Sequence, residues 1–389
     1  MKKALNILFL SSWYPSRVHT TNGNFIKRHA EAIALKHKLF LIYVQSDLNT
    51  KTIEVQDHIV SDNLREIIIY YPKVSSGIFS SIKKFYWNLK AYNIGLKLLP
   101  EIDIIHGNII YPVAIWALWL RFKLQKPLVF TEHWSGFFDQ NWKNLSFITK
   151  LIIRTAVKRI KEITVVSEDL KLNMLKKGLN NKYRVIGNVI DTMLFIPKPE
   201  LKSDKFIFLH VSNLDDKIKN LSGIITAYAK VCIKFPDSHL RIIGDGNITP
   251  HLKYAQSIGL DDTNFSIEGE KPLEDIAFEM QRSNCLVLNS HFETQGCVIL
   301  EAFSCGLPVI STNVGGIKEI LNEDRGILIK VNLPNELVSA MESILIINFD
   351  SQAMRHFIEM GFSKKSVSEK FDSLYQRIND CNILKTPIK

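Results

Sequence analysis

The sequence has little that would cross-link it or anchor it. Its five cysteines are an odd number, and none stand at metal-ligand or redox spacing, so neither a disulfide framework nor a zinc site is expected. They read as reduced, small core residues of a cytosolic protein. No apolar run is long enough to cross a bilayer: the longest, "IIYPVAIWALWL" at residues 109 to 120, is about half the ~20 residues a spanning helix requires, and Pro112 interrupts it. That run predicts a buried helix. The opening "MKKALNILFLSSW" offers no small-residue cleavage site and Asn6 breaks its apolar stretch, so residues 5 to 10 read as a first buried strand rather than a secretory signal. Internal repeats and low-complexity tracts are also missing, which leaves a soluble globular protein as the class.

What is present fits that class. Apolar residues make up 46% and charged residues 23% of 389, a length that suits two packed domains better than one core. The net charge of +10 hides a division: residues 1 to 190 hold 28 Lys and Arg against 13 Asp and Glu, and residues 191 to 389 hold 21 against 26. A basic first half calls for an anionic partner, whether membrane phospholipid, a phosphorylated ligand or nucleic acid.

Along the first half, the apolar runs "LNILFL", "LFLIYV", "DIIHGN", "LVFTEH", "EITVVS" and "YRVIGN" alternate with stretches of helical period such as "FIKRHAEAIALKHK". Repeated strand–helix–strand units around a parallel sheet have this pattern. After the linker-like "DTMLFIPKPELKSD" the pattern restarts with "KFIFLHVSN", "HLRIIGD", "FSIEG", "CLVLNS", "PVISTN" and "GILIK", separated by helices near 220 to 234, 273 to 283 and 297 to 305. The expected architecture is α/β, with two doubly wound domains in tandem divided near residue 195. Such sheets bind ligands beyond the carboxyl ends of their strands, so the polar residues that follow strands are the ones to weigh.

"SHFETQGCVILEAFSCGLPVI", residues 290 to 310, runs from a strand through a loop into a helix. Gly296 falls at the helix N-terminus, where free backbone N–H groups and the dipole favour an anion such as phosphate. Glu301 lies about a turn and a half further on, placed to accept hydrogen bonds from paired hydroxyls, and Glu293 sits in the loop. Two surface acids near a helix start are the competing reading. "HVSNLDDKIKNLSGIITAY" brings Lys219 to the same strand-end edge, as a diphosphate partner or as a solvated loop lysine. "LRIIGDGN" supplies Gly244 and Gly246, suited to close approach of a ligand or to a plain tight turn.

Taken together, Glu293 and Glu301 with "EAFSCGLPVI", preceded by a strand, a polar loop with lysine and "IIGDG", resemble the glycosyl transferases group 1 family. "WYPSRVHTTNGNFIKRHAEAIA" is similar to the family's glycine loop after the first strand, and "TVVSEDL" and "RVIGNVID" to later elements of its N-terminal domain. The resemblance implies retaining, nucleotide-sugar-dependent transfer by two Rossmann-like domains facing across a cleft, the GT-B arrangement. It divides the chain into an acceptor-binding domain at 1–194, a nucleotide-sugar-binding domain at 195–362, and a closing helix at 363–389 that returns to the first domain.

By position, the resemblance implies that Glu301 binds the donor ribose, Gly296 the diphosphate through backbone N–H groups, and Lys219 the diphosphate oxygens. Glu293 would contact the transferred sugar, Gly23 would let the first loop approach the donor phosphates, and Gly244 would line the donor site. His133 would stand near the acceptor hydroxyl. One departure concerns the donor phosphates: the family often has Arg where this chain has Asn213, which donates a hydrogen bond but carries no charge.

A helix N-terminus and Lys219 can stabilise a leaving phosphate directly, so metal independence is expected, with the nucleoside-diphosphate-sugar as co-substrate and no cofactor. The acceptor would be a saccharide or a lipid-linked saccharide for a surface polysaccharide. The lysine-rich amphipathic segments "SSIKKFYWNLKAYNIGLKLL" and "FITKLIIRTAVKRIKE" suit an anionic membrane surface or, equally, core-facing helices with solvated backs. A cytoplasmic enzyme, peripheral on the inner face of the cell membrane, is the expectation. An epimerase or hydrolase of the same fold, or a non-catalytic membrane- or nucleic-acid-binding protein, are the alternatives. No nucleic-acid module is recognised, so nucleic acid is not an expected partner.

Overall fold

A computed structural model of the chain describes residues 3–383. They form two compact units. The first holds the chain up to Val166, Leu170–Val189 and the last helix, Lys364–Ile383; the second holds Ile190–Ser363 with Ser167–Asp169.

In the first unit, strands β1 (Asn6–Ser11), β2 (Lys38–Asp47), β3 (Glu54–Ser61), β4 (Leu64–Pro72), β5 (Ile104–Asn108), β6 (Leu128–Glu132), β7 (Glu162–Val165) and β8 (Tyr183–Val185) build one sheet. The order is β3-β4-β2-β1-β5-β6-β7-β8. Every pairing is parallel except β3 with β4. Strands β5, β6 and β7 are buried on both faces, which is why they show no alternation of apolar and polar residues.

The hairpin of β3 and β4 departs from the expected pattern of strands alternating with helices. Its outer strand, "EVQDHIVS", is almost wholly exposed and shows no buried face to read; an antiparallel edge strand can face water in this way.

Helices cover both faces. On one side Ser80–Leu96, Ile110–Leu124 and Phe147–Arg159 surround a core that includes Ile42, Trp116, Phe130 and Ile163. On the other, Asn24–Ala34 and the last helix pack together over Phe9, Tyr43, Phe371 and Tyr375. The run at 109 to 120 lies largely in the buried helix Ile110–Leu124, as its length predicted.

The second unit is a six-stranded, all-parallel sheet of β9 (Phe206–Asn213), β10 (Ser238–Asp245), β11 (Phe265–Glu268), β12 (Cys285–Leu288), β13 (Val309–Thr312) and β14 (Gly326–Ile329). Its order is β11-β10-β9-β12-β13-β14. The chain therefore winds one way from β9 and the other way from β12, and the loops leaving these two neighbours part to opposite faces. Leu273–Arg282, Cys297–Ser304 and Ser351–Gly361 cover one face, and Leu221–Lys234 and Pro334–Ile344 the other. The α/β reading with two Rossmann-like sheets holds, and all twelve strands read from the sequence are present.

The last helix contributes Phe371, which is fully buried and lies edge-on to His29 with ring centroids 5.6 Å apart. Truncating a fully buried phenylalanine costs about 3–5 kcal/mol. All six tryptophans, residues 13, 87, 116, 119, 134 and 142, belong to the first unit, so their fluorescence reports that unit alone. Phe371→Ala is expected to lower the urea midpoint of the tryptophan transition by an amount equivalent to that loss; an unchanged midpoint would show that the helix does not support the first unit.

Candidate active site

At the switch point of the second unit, the loop after β9 carries Lys219 and the loop after β12 carries Glu293. The structure joins them: Lys219 Nζ lies 2.5 Å from Glu293 Oε1, with both side chains largely buried. Ser290 donates its hydroxyl to the same carboxylate oxygen at 3.0 Å. The backbone ties the two loops as well, because His291 N–H donates to Ile218 C=O at 2.8 Å. Lys219 ends a single helical turn, Asp216–Lys219, capped by the Asp215 carboxylate, and Asp216 accepts from the Ser222 N–H and hydroxyl. This aspartate pair caps helix starts.

Gly296 sits at the N-cap of Cys297–Ser304 with φ 77°, a backbone conformation that favours glycine. Glu301 lies within this helix and is only 7% exposed. A buried carboxylate needs polar partners, and Glu301 is held among interactions of the described residues.

Two positions missed in sequence shape the Glu293 loop. Thr312, at the end of β13, donates its hydroxyl to Ser290 C=O at 2.6 Å. Gly315, with φ 54°, lies so close to the loop that a Cβ there would stand 1.7 Å from Glu293 C=O. The "GG" after β13 was the available signal.

Asn213 ends β9, paired in register with Asp245 and exposed. Its carbonyl accepts the Ser212 hydroxyl, which His210 Nε2 reaches at 2.7 Å, so a buried imidazole orders the start of the Lys219 loop. The space beside Gly244 is taken by protein: a Cβ there would meet Ser212 C=O at 1.9 Å.

In the first unit, Gly23 (φ 83°) opens the helix Asn24–Ala34 and packs on the backbone of the same loop, with Trp13 C=O 2.8 Å from where its Cβ would be. His133 follows β6. Its Nδ1 stands 3.1 Å from Asn188 Oδ1; with Nδ1 donating, Nε2 carries the lone pair, and no group among the described residues reaches that buried atom. Burial, with His29 adding to it, holds the His133 imidazole well below its ordinary pKa, so the ring is neutral and an acceptor.

Glu132, just before it, was not anticipated. Its buried carboxylate accepts backbone N–H groups from His133, Trp134 and Ile110, each at 2.9 Å. Burial pushes its pKa up to about 7 against the pull of those three donors. It fixes the turn after β6 to the turn after β5, where Ile109 is held at φ 60°, an uncommon conformation for a β-branched residue.

The doubly wound sheet with an anion-ready helix start at its switch point belongs to the GT-B class of glycosyltransferase folds. Among solved structures, sucrose-phosphate synthase from Thermosynechococcus elongatus shares it, with a TM-score of 0.77 at 18% identity over 97% of this chain and 100% of that one. Residues 191–362 match the family described as Glycosyl transferases group 1, and residues 26–194 match Glycosyltransferase Family 4.

The chain belongs to the glycosyl transferases group 1 family. It is 28% identical over 302 residues to an uncharacterised glycosyltransferase of Methanocaldococcus jannaschii, covering 75% of this chain and 81% of that one. It is 27% identical over 296 residues to the UDP-Gal:alpha-D-GlcNAc-diphosphoundecaprenol alpha-1,3-galactosyltransferase of Escherichia coli, covering 70% and 75%.

His29 lies beside His133, with ring centroids 5.1 Å apart, and neither of its ring nitrogens has a hydrogen-bond partner among the described residues. Burial pulls its pKa down to about 3. Between that value and about 6.5 the unfolded chain takes up a proton that the folded one refuses, so the stability His29 permits is intact above about 6.5 and drains as pH falls. His29→Phe is expected to gain about 2 kcal/mol on wild type between pH 7 and pH 5, read from urea unfolding by tryptophan fluorescence at each pH. A pH-independent difference would mean that His29 is not buried neutral.

Proposed function

We propose that this glycosyltransferase moves a sugar from a nucleoside-diphosphate-sugar, a UDP-sugar in the first instance, to a saccharide or lipid-linked saccharide, with retention and without a metal. The carrying observation is the pairing of Lys219 with Glu293 across the β9/β12 switch point, beside the helix that opens at Gly296. The Escherichia coli relative, whose name gives UDP-Gal as donor and a diphosphoundecaprenol-linked sugar as acceptor, supports the choice of both substrates.

In this reading the diphosphate docks on the backbone N–H groups at Gly296 and takes Lys219 from Glu293. Glu301 accepts hydrogen bonds from the ribose hydroxyls, and Asn213 borders the donor. Gly23 keeps the first loop close to its own backbone. The bond from the anomeric carbon to the diphosphate oxygen breaks, and the acceptor oxygen bonds to that carbon on the same face. The acceptor proton passes to the departing phosphate. Lys219 and the helix N-terminus stabilise the negative charge that develops there. Glu293, freed from the lysine, orients the sugar, and the bare Nε2 of His133 accepts from a hydroxyl.

Thermal denaturation followed by calorimetry or an added dye, without metal, tests the donor site; intrinsic fluorescence would miss it because the tryptophans all lie in the first unit. UDP at about 100 times its Kd is expected to stabilise the protein by about 2.7 kcal/mol. Glu301→Ala and Lys219→Ala should each lose at least about tenfold in affinity. Glu293→Gln should bind UDP as tightly as wild type or more tightly, since Lys219 no longer has to leave a carboxylate, while transfer is lost. Weaker UDP binding by Glu293→Gln would contradict the exchange, and inverted product would end the retention proposal.

Peripheral membrane association belongs to the same proposal. Among the described residues no helix is long and apolar enough to cross a membrane. Of the apolar stripe on Ser80–Leu96, Tyr92 is buried, but Ile82 and Phe85 are 66% and 53% exposed, and Phe79 is exposed just before them. Phe147, Ile148 and Leu151 are likewise exposed on Phe147–Arg159, which covers the same face of the sheet. Exposed apolar groups among lysines suit an anionic bilayer surface. Ile82→Ser with Phe85→Ser is expected to abolish co-flotation with phosphatidylglycerol vesicles while leaving UDP binding intact; unchanged flotation would remove this helix from the membrane proposal.

A further inference from the structure

A basic cavity of about 1160 Å³ opens in the first unit, lined by Lys3, Arg121, Lys126, Lys158, Arg159 and Lys161. It lies away from the strand ends that carry His133. Asp103, Lys126 with Pro127, and Lys161 line it immediately before β5, β6 and β7, so it occupies the amino-terminal edge of the sheet. Nothing in the donor chemistry uses this edge.

The cations have an ordinary reason to be there, and magnitudes show that it is insufficient. Two helices, Ile110–Leu124 and Phe147–Arg159, end at the cavity, and each C-terminus presents roughly half a negative charge. Asp103 supplies one carboxylate, already accepting Asn6 N–H at 2.8 Å. Exposed Glu101 pairs with Lys126 at 3.1 Å. These sources offset about three of the six positive charges. Lys3, Arg121, Lys158, Arg159 and Lys161 have no carboxylate partner among the described residues. Like charges converging on a concave surface raise the local potential and concentrate anions.

We infer that this cavity is a second anion site, taking a phosphate-bearing group that is either a small soluble phosphate compound or the headgroup of an acidic phospholipid. The site is independent of the donor assignment: it lies in the other unit and shares none of its residues. Exposed Phe122 at its rim gives an apolar body that either ligand can lie against.

The test uses the full chain and two double variants of equal charge. Lys158→Ala with Lys161→Ala empties the cavity of two cations; Lys51→Ala with Lys73→Ala removes two exposed cations from loops of the same unit outside it. Pyrophosphate binding is measured by titration calorimetry at low and moderate salt, and flotation with phosphatidylglycerol and with pure phosphatidylcholine vesicles. The cavity variant is expected to lose at least tenfold in affinity for one probe, and the control variant to keep it. Loss of pyrophosphate binding identifies a soluble ligand; loss confined to phosphatidylglycerol vesicles identifies a lipid headgroup. Pyrophosphate bound in the second unit persists equally in all three proteins and sets the baseline. Equal behaviour of the two variants, or a wild type that binds neither probe above that baseline, overturns the inference.

Discussion

The reversal of winding between β9 and β12 is the constraint on which the rest of the second unit depends. Two adjacent parallel strands, paired at Leu209 and Leu286, send their following segments to opposite faces, and space opens between the departing loops. Whatever polar groups those loops carry must then meet across that space. Here they are a lysine and a glutamate, and their meeting is made rigid by backbone: His291 N–H on Ile218 C=O, Thr312 on Ser290 C=O, and Gly315 against Glu293 C=O. The third strand in the winding, β13, thus contributes no charged group to the pair and still decides where the carboxylate stands.

Much of this was legible because strand ends are legible. A buried parallel strand is a short apolar run, and the residues after it are named by position alone, which is how Lys219, Glu293 and Gly296 could be marked and how His133 was found after β6. What could not be read are effects whose cause lies far along the chain. Gly315 is glycine because of a carbonyl 22 residues earlier, and Gly244 because of the Ser212 carbonyl; sequence offers no means to separate such packing from approach of a ligand. Glu132 is held by Ile110 N–H, also 22 residues away. The edge strand β3 was missed for the opposite reason: exposed on both faces, it has no pattern.

The helix Ser80–Leu96 shows where periodicity misleads. Five apolar residues at helical spacing predict one continuous face, and the face exists, but only its later part rests on the sheet, where Tyr92 is buried. The earlier part, from Phe79 through Phe85, stays largely exposed, with the Phe85 ring meeting Trp116 at its edge of the core. Spacing defines which residues share a side of a helix; tertiary packing decides how many of them are covered.

The ion pair in the second unit also bears on selectivity. Lys219 and Glu293 neutralise one another, and separating a largely buried pair leaves both groups uncompensated, which costs several kcal/mol. A free phosphate that captured the lysine would strand the glutamate; a free sugar that captured the glutamate would strand the lysine. Only a molecule that presents an anion and sugar hydroxyls together satisfies both at once. On the proposed reading, a covalently joined diphosphate and sugar recovers what neither part recovers alone, so the same contact favours the intact donor over its fragments. Release after transfer follows from the same balance: once the sugar has left, Glu293 is again available to Lys219 and competes with the departing nucleotide.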